Sequence, residues 1–307
     1  MTNFAELRYL LLRDMYNFFR SIRIATLSRY SFSGHESFQC KSLWLKKGYD
    51  YLFADNSFTD ADAVAKLGVG KNMVASIRFW LRAFVLTKSD SLEPISTYIF
   101  DTEKGKDPFA EDINTIWLLH FLLVASEVAS LYNLLFVEYQ REKKEFTKSE
   151  LQSFIKRKCS VPEQKNVYNE NTVRKDIGVL LKNYVAPSDL KTIEDFSALM
   201  IGLGLIIYKG NETYCFKVSN PEDIAPEIIL FALIRMRGND KTVSFDVLQK
   251  LSLIFGLPMV SLIDIIRSLE KIFPGTLVFS DNSGIKNVQF IGAIDEFEAL
   301  NHYYKQL

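Results

Sequence analysis

Cysteine and histidine are scarce in this 307-residue chain, with three of each. Cys40, Cys159 and Cys215 are far apart, odd in number and in no C-x-x-C spacing. That argues against a disulfide framework or structural zinc and fits a reducing cytoplasm. His35, His120 and His302 form no H-E-x-x-H motif and are not neighbours in sequence. Net charge is missing too, since 37 basic side chains face 37 acidic ones. A duplex-binding domain is usually basic overall, so the zero total reads first as evidence against a nucleic-acid partner. It excludes nothing by itself, because electrostatic binding depends on where the charges sit. With 48% hydrophobic and 24% charged residues the chain is neither disordered nor collagenous. Its length allows roughly two or three domains.

Long apolar runs are also few. Ile116 to Val137 is the one stretch long enough to span a bilayer. It contains His120, Glu127 and Asn133, each costly in hydrocarbon, and lacks a basic flank. A buried core helix, with no membrane partner, is the expectation. The first thirty residues carry five arginines and two acids, Glu6 and Asp14, with no apolar region leading to a small-residue cleavage site. They read as an amphipathic helical extension outside the main fold, on a cytoplasmic protein.

Three segments repeat one plan of short helix, turn, longer helix and β-rich stretch. In the first, Thr59 to Asp62 supplies a cap and acids, and Ala63, Val64 and Leu67 an apolar face. Gly68-Val69-Gly70 breaks this helix before a second one predicted from about Lys71 to Val85. Met73, Ile77, Trp80, Leu81 and Phe84 recur there at helical spacing, leaving Lys71, Ala75, Arg78 and Arg82 on the opposite face. Two helices joined by a glycine turn, the second exposing cations, make a helix-turn-helix pattern. Val85 to Phe100 is compatible with a wing hairpin, although Pro94 lies inside it. The second copy opens with a capping box, Thr147 to Glu150. Asn169 or Asn171 then caps a helix with Val173, Ile177, Leu180 and Tyr184 inside and Arg174, Lys175 and Lys182 outside, ended by Pro187. The third runs from Val243 to Ile291, with Gly256 as breaker, Pro258 in the first turn of its second helix, and an apolar face of Val260, Ile263, Ile266 and Leu269. A hairpin follows around Asp281 to Gly284. Its mixed outer face suits packing or dimerisation better than DNA.

Charge is distributed unevenly over these pieces. Lys41 to Lys88 holds eight basic and four acidic residues, and Arg141 to Lys182 eleven against six. Asp90 to Glu138, between them, holds two against nine. Two basic stretches are thus hidden in a neutral total, and the acidic one offers a surface to another protein.

Gly68-Val69-Gly70-Lys71-Asn72 superficially resembles a nucleotide loop, but lacks the four-residue gap between glycines and the Ser or Thr after lysine. Glycines ahead of a helix N-terminus still leave backbone N–H groups free for a phosphate, with Lys71 beside them. A DNA phosphate explains this better than ATP; a plain glycine turn with an exposed lysine explains the glycines alone. The adjacent His35 and Glu36 suit an acid–base pair or half a metal site, or else a hydrogen-bonded loop anchor. Glu142-Lys143-Lys144 and Glu163-Gln164-Lys165 match E-x-K but follow no Pro-Asp element, so they mark no nuclease centre.

Phe32-Ser33-Gly34-His35-Glu36-Ser37-Phe38, Trp44-Leu45-Lys46-Lys47 and the run from Leu67 to Trp80 resemble the motifs of a bacterial family, the SspB-type components of DNA phosphorothioation systems. Thr115 to His120, Thr172 to Asp176 and Leu203 to Ile206 are similar in their turn, so the resemblance covers about residues 31 to 290. It implies a protein that binds double-stranded DNA and nicks one strand so that sulfur replaces a non-bridging phosphate oxygen. The partners it implies are an ATPase, an adenylyl-sulfate-reductase-like enzyme and a cysteine desulfurase, in antiviral defence. Carried over by position, it points to Ser33, Gly34, His35 and Glu36, and to Gly68, Gly70, Lys71, Asn72 and Arg78.

The expected fold is α+β, mostly α, with repeated winged helix-turn-helix units around a central helical hairpin. The divisions are 1–30 (extension), 31–110 (winged-helix DNA-binding), 111–210 (central helices with a second unit) and 211–307 (carboxy-terminal unit). His35 and Glu36 are the catalytic candidates, with magnesium or manganese if the protein nicks. The DNA-binding candidates are Ser33 and Gly34, the turn residues Gly68, Gly70, Lys71 and Asn72, and the cations Arg78, Arg82, Arg174 and Lys175. The alternative is a non-enzymatic adaptor or regulator that positions partner enzymes on DNA. A homodimer through the apolar helices is expected in either case.

Overall fold

The computed structural model describes residues 29–126, 128–187, 198–282 and 285–306. The proposed amino-terminal helix lies almost wholly outside them. Helix α1 (Trp44–Phe53) packs on α2 (Ala63–Leu67) and α3 (Lys71–Ala83). Gly68 closes α2 at φ 62°, a left-handed position where glycine costs no Cβ clash, and Gly70 enters α3 in extended conformation. Ile77, Trp80, Leu81 and Phe84 are fully buried, as their spacing predicts, whereas Val64 on the five-residue α2 is exposed.

Beyond α3 the outcome departs from expectation. The β-rich stretch shrinks to a hairpin of two-residue strands, β1 (Thr87–Lys88) and β2 (Ser91–Leu92). Pro94 then opens α4 (Pro94–Phe100). A proline lacks the N–H that a first-turn residue would leave unpaired, so here it starts a helix and does not interrupt a strand.

The apolar run is buried, as expected, but in two pieces. Helix α5 (Ile113–Ala125) is capped by Asp112 and buried on nearly every side. It meets α6 (Ser130–Asn133), which continues through a π-helical stretch (Leu134–Tyr139) into α7 (Gln140–Glu142). The two pieces meet at a bend of 101°, a corner and not an antiparallel hairpin. No single described helix is long and apolar enough to cross a membrane.

Two similar blocks follow. In the first, β3 (Glu145–Thr147) leads into α8 (Lys148–Lys158), whose Thr147–Glu150 capping box is present, and α9 (Glu170–Tyr184) is capped by Asn169. The hairpin β4 (Ile206–Gly210) and β5 (Thr213–Phe216) completes an antiparallel sheet of order β3-β5-β4. After α10 (Pro226–Arg237) the order recurs with β6 (Thr242–Ser244), α11 (Phe245–Ile254) and α12 (Met259–Ile272). The hairpin β7 (Leu277–Asn282) and β8 (Ile285–Phe290) gives a sheet of order β6-β8-β7. Pro258 caps α12 from just outside, and Val260 is 70% exposed because the helix turns Leu262, Ile265, Ile266 and Leu269 inward instead. The last helix, α13 (Glu296–Tyr304), packs along α10 and returns to α5, where Tyr304 and Thr115 share a 2.6 Å hydrogen bond. One hydrophobic core runs from Cys40 to Tyr304.

Candidate nucleic-acid interface

The loop ahead of α1 has an unusual backbone. Ser33, Gly34, Glu36 and Ser37 all have positive φ, at 74°, 98°, 49° and 65°. Each non-glycine residue held there costs on the order of 1–2 kcal/mol, so the surroundings must impose the shape. A Cβ at Gly34 would stand 2.6 Å from the Phe79 ring. Only glycine lets the backbone lie on that ring.

The constraint comes from Asp176 on α9. Its Oδ2 accepts from the Ser33 N–H at 2.7 Å, and its Oδ1 lies 3.0 Å from His35 Nε2. That second approach is close but not aligned as a hydrogen bond, which leaves Oδ1 without another partner among the described residues. The Ser37 N–H donates to His35 Nδ1 at 3.2 Å. An accepting Nδ1 places the proton of a neutral ring on Nε2, facing the carboxylate. The imidazole stacks on Trp80 at 6.0 Å and meets Phe79 edge-on. Upstream, the Tyr30 N–H donates to Gln164 and the Ser31 N–H to Ser130. His35 is thus buried with both nitrogens turned inward, while its neighbour Glu36 points to solvent.

Ser33 and Gly34 stay exposed and share a surface pocket of about 470 Å³ with Arg29, Phe79 and Arg82. Arg82 and Lys71 are both exposed on α3, eleven residues or about 16 Å apart along its axis. Gly68, Gly70 and Asn72 sit with Lys71 at the exposed turn that starts the helix, and a Cβ on either glycine would meet open space. Arg78 is different. Its guanidinium is held by Asp90 in a two-pronged ion pair, with Nε to Oδ1 at 2.9 Å and Nη2 to Oδ2 at 2.5 Å. That hydrogen bonding raises its already high pKa further. Arg174 and Lys175 are exposed on α9, Arg174 donating to Asn171 at 2.8 Å.

The structure therefore brings Ser33, Gly34 and Arg82 to one pocket, and strings Lys71 and Asn72 along the helix that forms its wall. Asp176 was missed as a functional residue, although one signal pointed to it. Its spacing from Val173 and Leu180 puts an acid on the buried face of α9, where a lone carboxylate needs a partner. Gln164, also fully buried, accepts from the Tyr30 N–H and is met in the sequence only as part of an E-x-K match. No group of three His, Cys, Asp or Glu side chains among the described residues is placed to hold a metal ion.

Histidine elsewhere is structural. His120 is fully buried, sharing a hydrogen bond with the Tyr184 hydroxyl at 2.7 Å and donating Nε2–H to the Ile254 carbonyl at 2.8 Å. Burial pushes its pKa down to about 4.

The chain belongs to the family described as "Protein of unknown function (DUF4007)", which matches residues 32–304. Among solved structures it is similar to "SspB crystal structure" at 27% identity and a TM-score of 0.73. It is similar also to "Magnesium ion-bound SspB crystal structure" at 26% and 0.72. Each match covers 90% of this chain and 88% of the other. The protein is thus of the SspB type, the class its motifs resemble. No curated protein matches it.

Proposed function

We propose that this component of a phosphorothioation system binds double-stranded DNA, its phosphate backbone lying across loop 32–38 and along α3. The observation that carries the reading is the shared pocket of Ser33, Gly34 and Arg82 on the helix that also presents Lys71. Backbone atoms close to a guanidinium, with a glycine turn at the helix start, are the groups that hold phosphates without reading sequence. The order strand, helix, helix, hairpin, repeated twice, supports winged helix-turn-helix units, with α9 and α12 as their second helices. Arg174 and Lys175 would extend the basic face onto α9.

Two activities fit such a platform. Strand nicking, implied by the resemblance, asks for a general base or a metal-held water. One similar structure is magnesium ion-bound, yet the described donors of this chain form no chelating group of three. No cleavage step is therefore assigned to a metal here. The inward-facing nitrogens of His35 favour the second activity, an adaptor that positions the ATPase, the reductase-like enzyme and the desulfurase on DNA. In that role His35 shapes the loop and does not transfer protons.

Electrophoretic shifts over a salt series test the platform. Lys71→Glu and Arg82→Glu are expected to weaken duplex binding and each to reduce the slope of log K against log salt by about 1. Binding unchanged in both would remove α3 from the DNA surface. Arg78→Glu is expected to act less on the slope, because its charge is already matched by Asp90. Plasmid relaxation with magnesium or manganese separates the activities: a nick lost in Glu36→Ala supports cleavage, and binding with no nick under any metal supports the adaptor.

A further inference from the structure

A second pocket, of about 440 Å³, lies between α9 and the β4–β5 hairpin, away from the Arg82 pocket. Gln39, Lys148, Gly178, Lys182, Tyr208 and Tyr214 line it. Tyr208 and Tyr214 are cross-strand partners, their rings 5.2 Å apart, and Tyr214 stacks in turn on buried Phe146. Tyr208 is 44% exposed, an aromatic ring open to solvent at the end of a series of ring contacts. Lys148 and Lys182 are exposed and have no ion-pair partner among the described residues; the Gln39 amide likewise has no hydrogen-bond partner there.

Gly178 is the informative residue. A glycine inside a helix costs about 1 kcal/mol relative to alanine and usually marks close packing. Here a Cβ would meet nothing within 4 Å. Among the described residues the gap serves no neighbour, and it opens onto the pocket.

We infer that this pocket takes one nucleotide unstacked from DNA, with its base on Tyr208, its phosphates at Lys148 and Lys182, and the Gln39 amide at the base edge. Aromatic faces hold any base by stacking, while lysines follow the backbone, the combination by which single strands are bound without strict sequence preference. An amide, which carries both a donor and an acceptor, suits the edge of a base. Gln39 stands four residues after His35, so a strand laid on loop 32–38 has a short path to the pocket. The inference rests on the DNA-binding reading and adds to it a distinct single-strand site.

Fluorescence anisotropy of the full chain with two probes, a labelled duplex and a labelled oligothymidine, tests it. The wild-type protein is expected to bind both. Tyr208→Ala, and Gly178→Leu, which fills the gap with a good helix former, are expected to weaken oligothymidine binding about tenfold and leave duplex binding unchanged. Thermal melts show whether both variants keep the fold; Gly178→Leu is expected to melt no lower than wild type. Wild-type affinity for oligothymidine in both variants, or a parallel loss on both probes, overturns the inference. A wild-type protein that binds duplex but not oligothymidine overturns this site alone, whereas one that binds neither overturns the DNA-binding reading as well.

Discussion

Asp176 fixes a loop that lies 143 positions away in sequence. Removing its carboxylate takes the partner from the Ser33 N–H and leaves the buried His35 ring facing a gap. Asp176→Ala is expected to cost about 3 kcal/mol, in the range for breaking a buried polar network, and Asp176→Asn about half, since an amide still accepts from Ser33. Urea melts of the two variants check the order; equal costs would mean that the hydrogen bond to Ser33 contributes little. Gly34→Ala is expected to destabilise by more than about 1 kcal/mol, because it adds a strained φ to a 2.6 Å approach on Phe79. At this scale the sequence was only partly legible. The motif marks His35 as special and leaves both an acid–base pair with Glu36 and a hydrogen-bonded loop anchor open; the fold turns His35 inward and Glu36 outward. Which nitrogen meets which partner depends on a residue too distant for any local spacing to reveal.

Helices are legible wherever a buried face coincides with a glycine break, as at α3, or with a cap, as at α8 and α9. Pro94 was misread because a run of β-branched and aromatic residues looks alike in a strand and in a short buried helix, and only position decides what proline does. Val64 and Val260 failed for a related reason: a short helix, or one whose apolar residues outnumber a single stripe, does not announce which side will face the core. Among the elements, α5, α9 and α11 are tied together by His120 through Tyr184 and Ile254. Its pKa of about 4 lies below the ordinary 6.5, so the unfolded chain binds the proton more readily than the folded one. The stability this contributes is complete above pH 6.5 and is lost as the pH falls toward 4, about 3 kcal/mol in all. Denaturant titrations between pH 7 and 4.5 should show His120→Gln less stable at neutral pH but with a shallower acid dependence. An unchanged slope would place the acid sensitivity in carboxylates instead.

Across the whole molecule the charge segments are less separate than their sums imply. Asp90 and Glu138, at the two ends of the acidic stretch, pair with Arg78 and Lys158 from the basic ones. Among the described residues, the cations of the proposed DNA face that lack such an ion pair are Lys71 and Arg82 on α3 and Arg174 and Lys175 on α9, and Lys148 and Lys182 at the second pocket lack one as well. The core is likewise continuous: α13 hydrogen-bonds to α5 through Tyr303 and Tyr304, joining the end of the chain to its middle. Calorimetry is expected to show one unfolding transition, and removal of residues 296–307 to lower its midpoint as a whole; two resolved transitions would mean that the blocks unfold independently. This continuity bears on inheritance. The loop that forms the surface pocket precedes α1, whereas the carboxylate that shapes it sits on α9 in the first of the two similar blocks, so neither segment carries the pocket alone. A chimera that takes the segment up to α4 from one relative and α9 from another is expected to keep the loop's geometry only if an acid stands where Asp176 does. Exchange of parts is therefore expected to preserve the pocket only where loop 32–38 and the acid on α9 travel together.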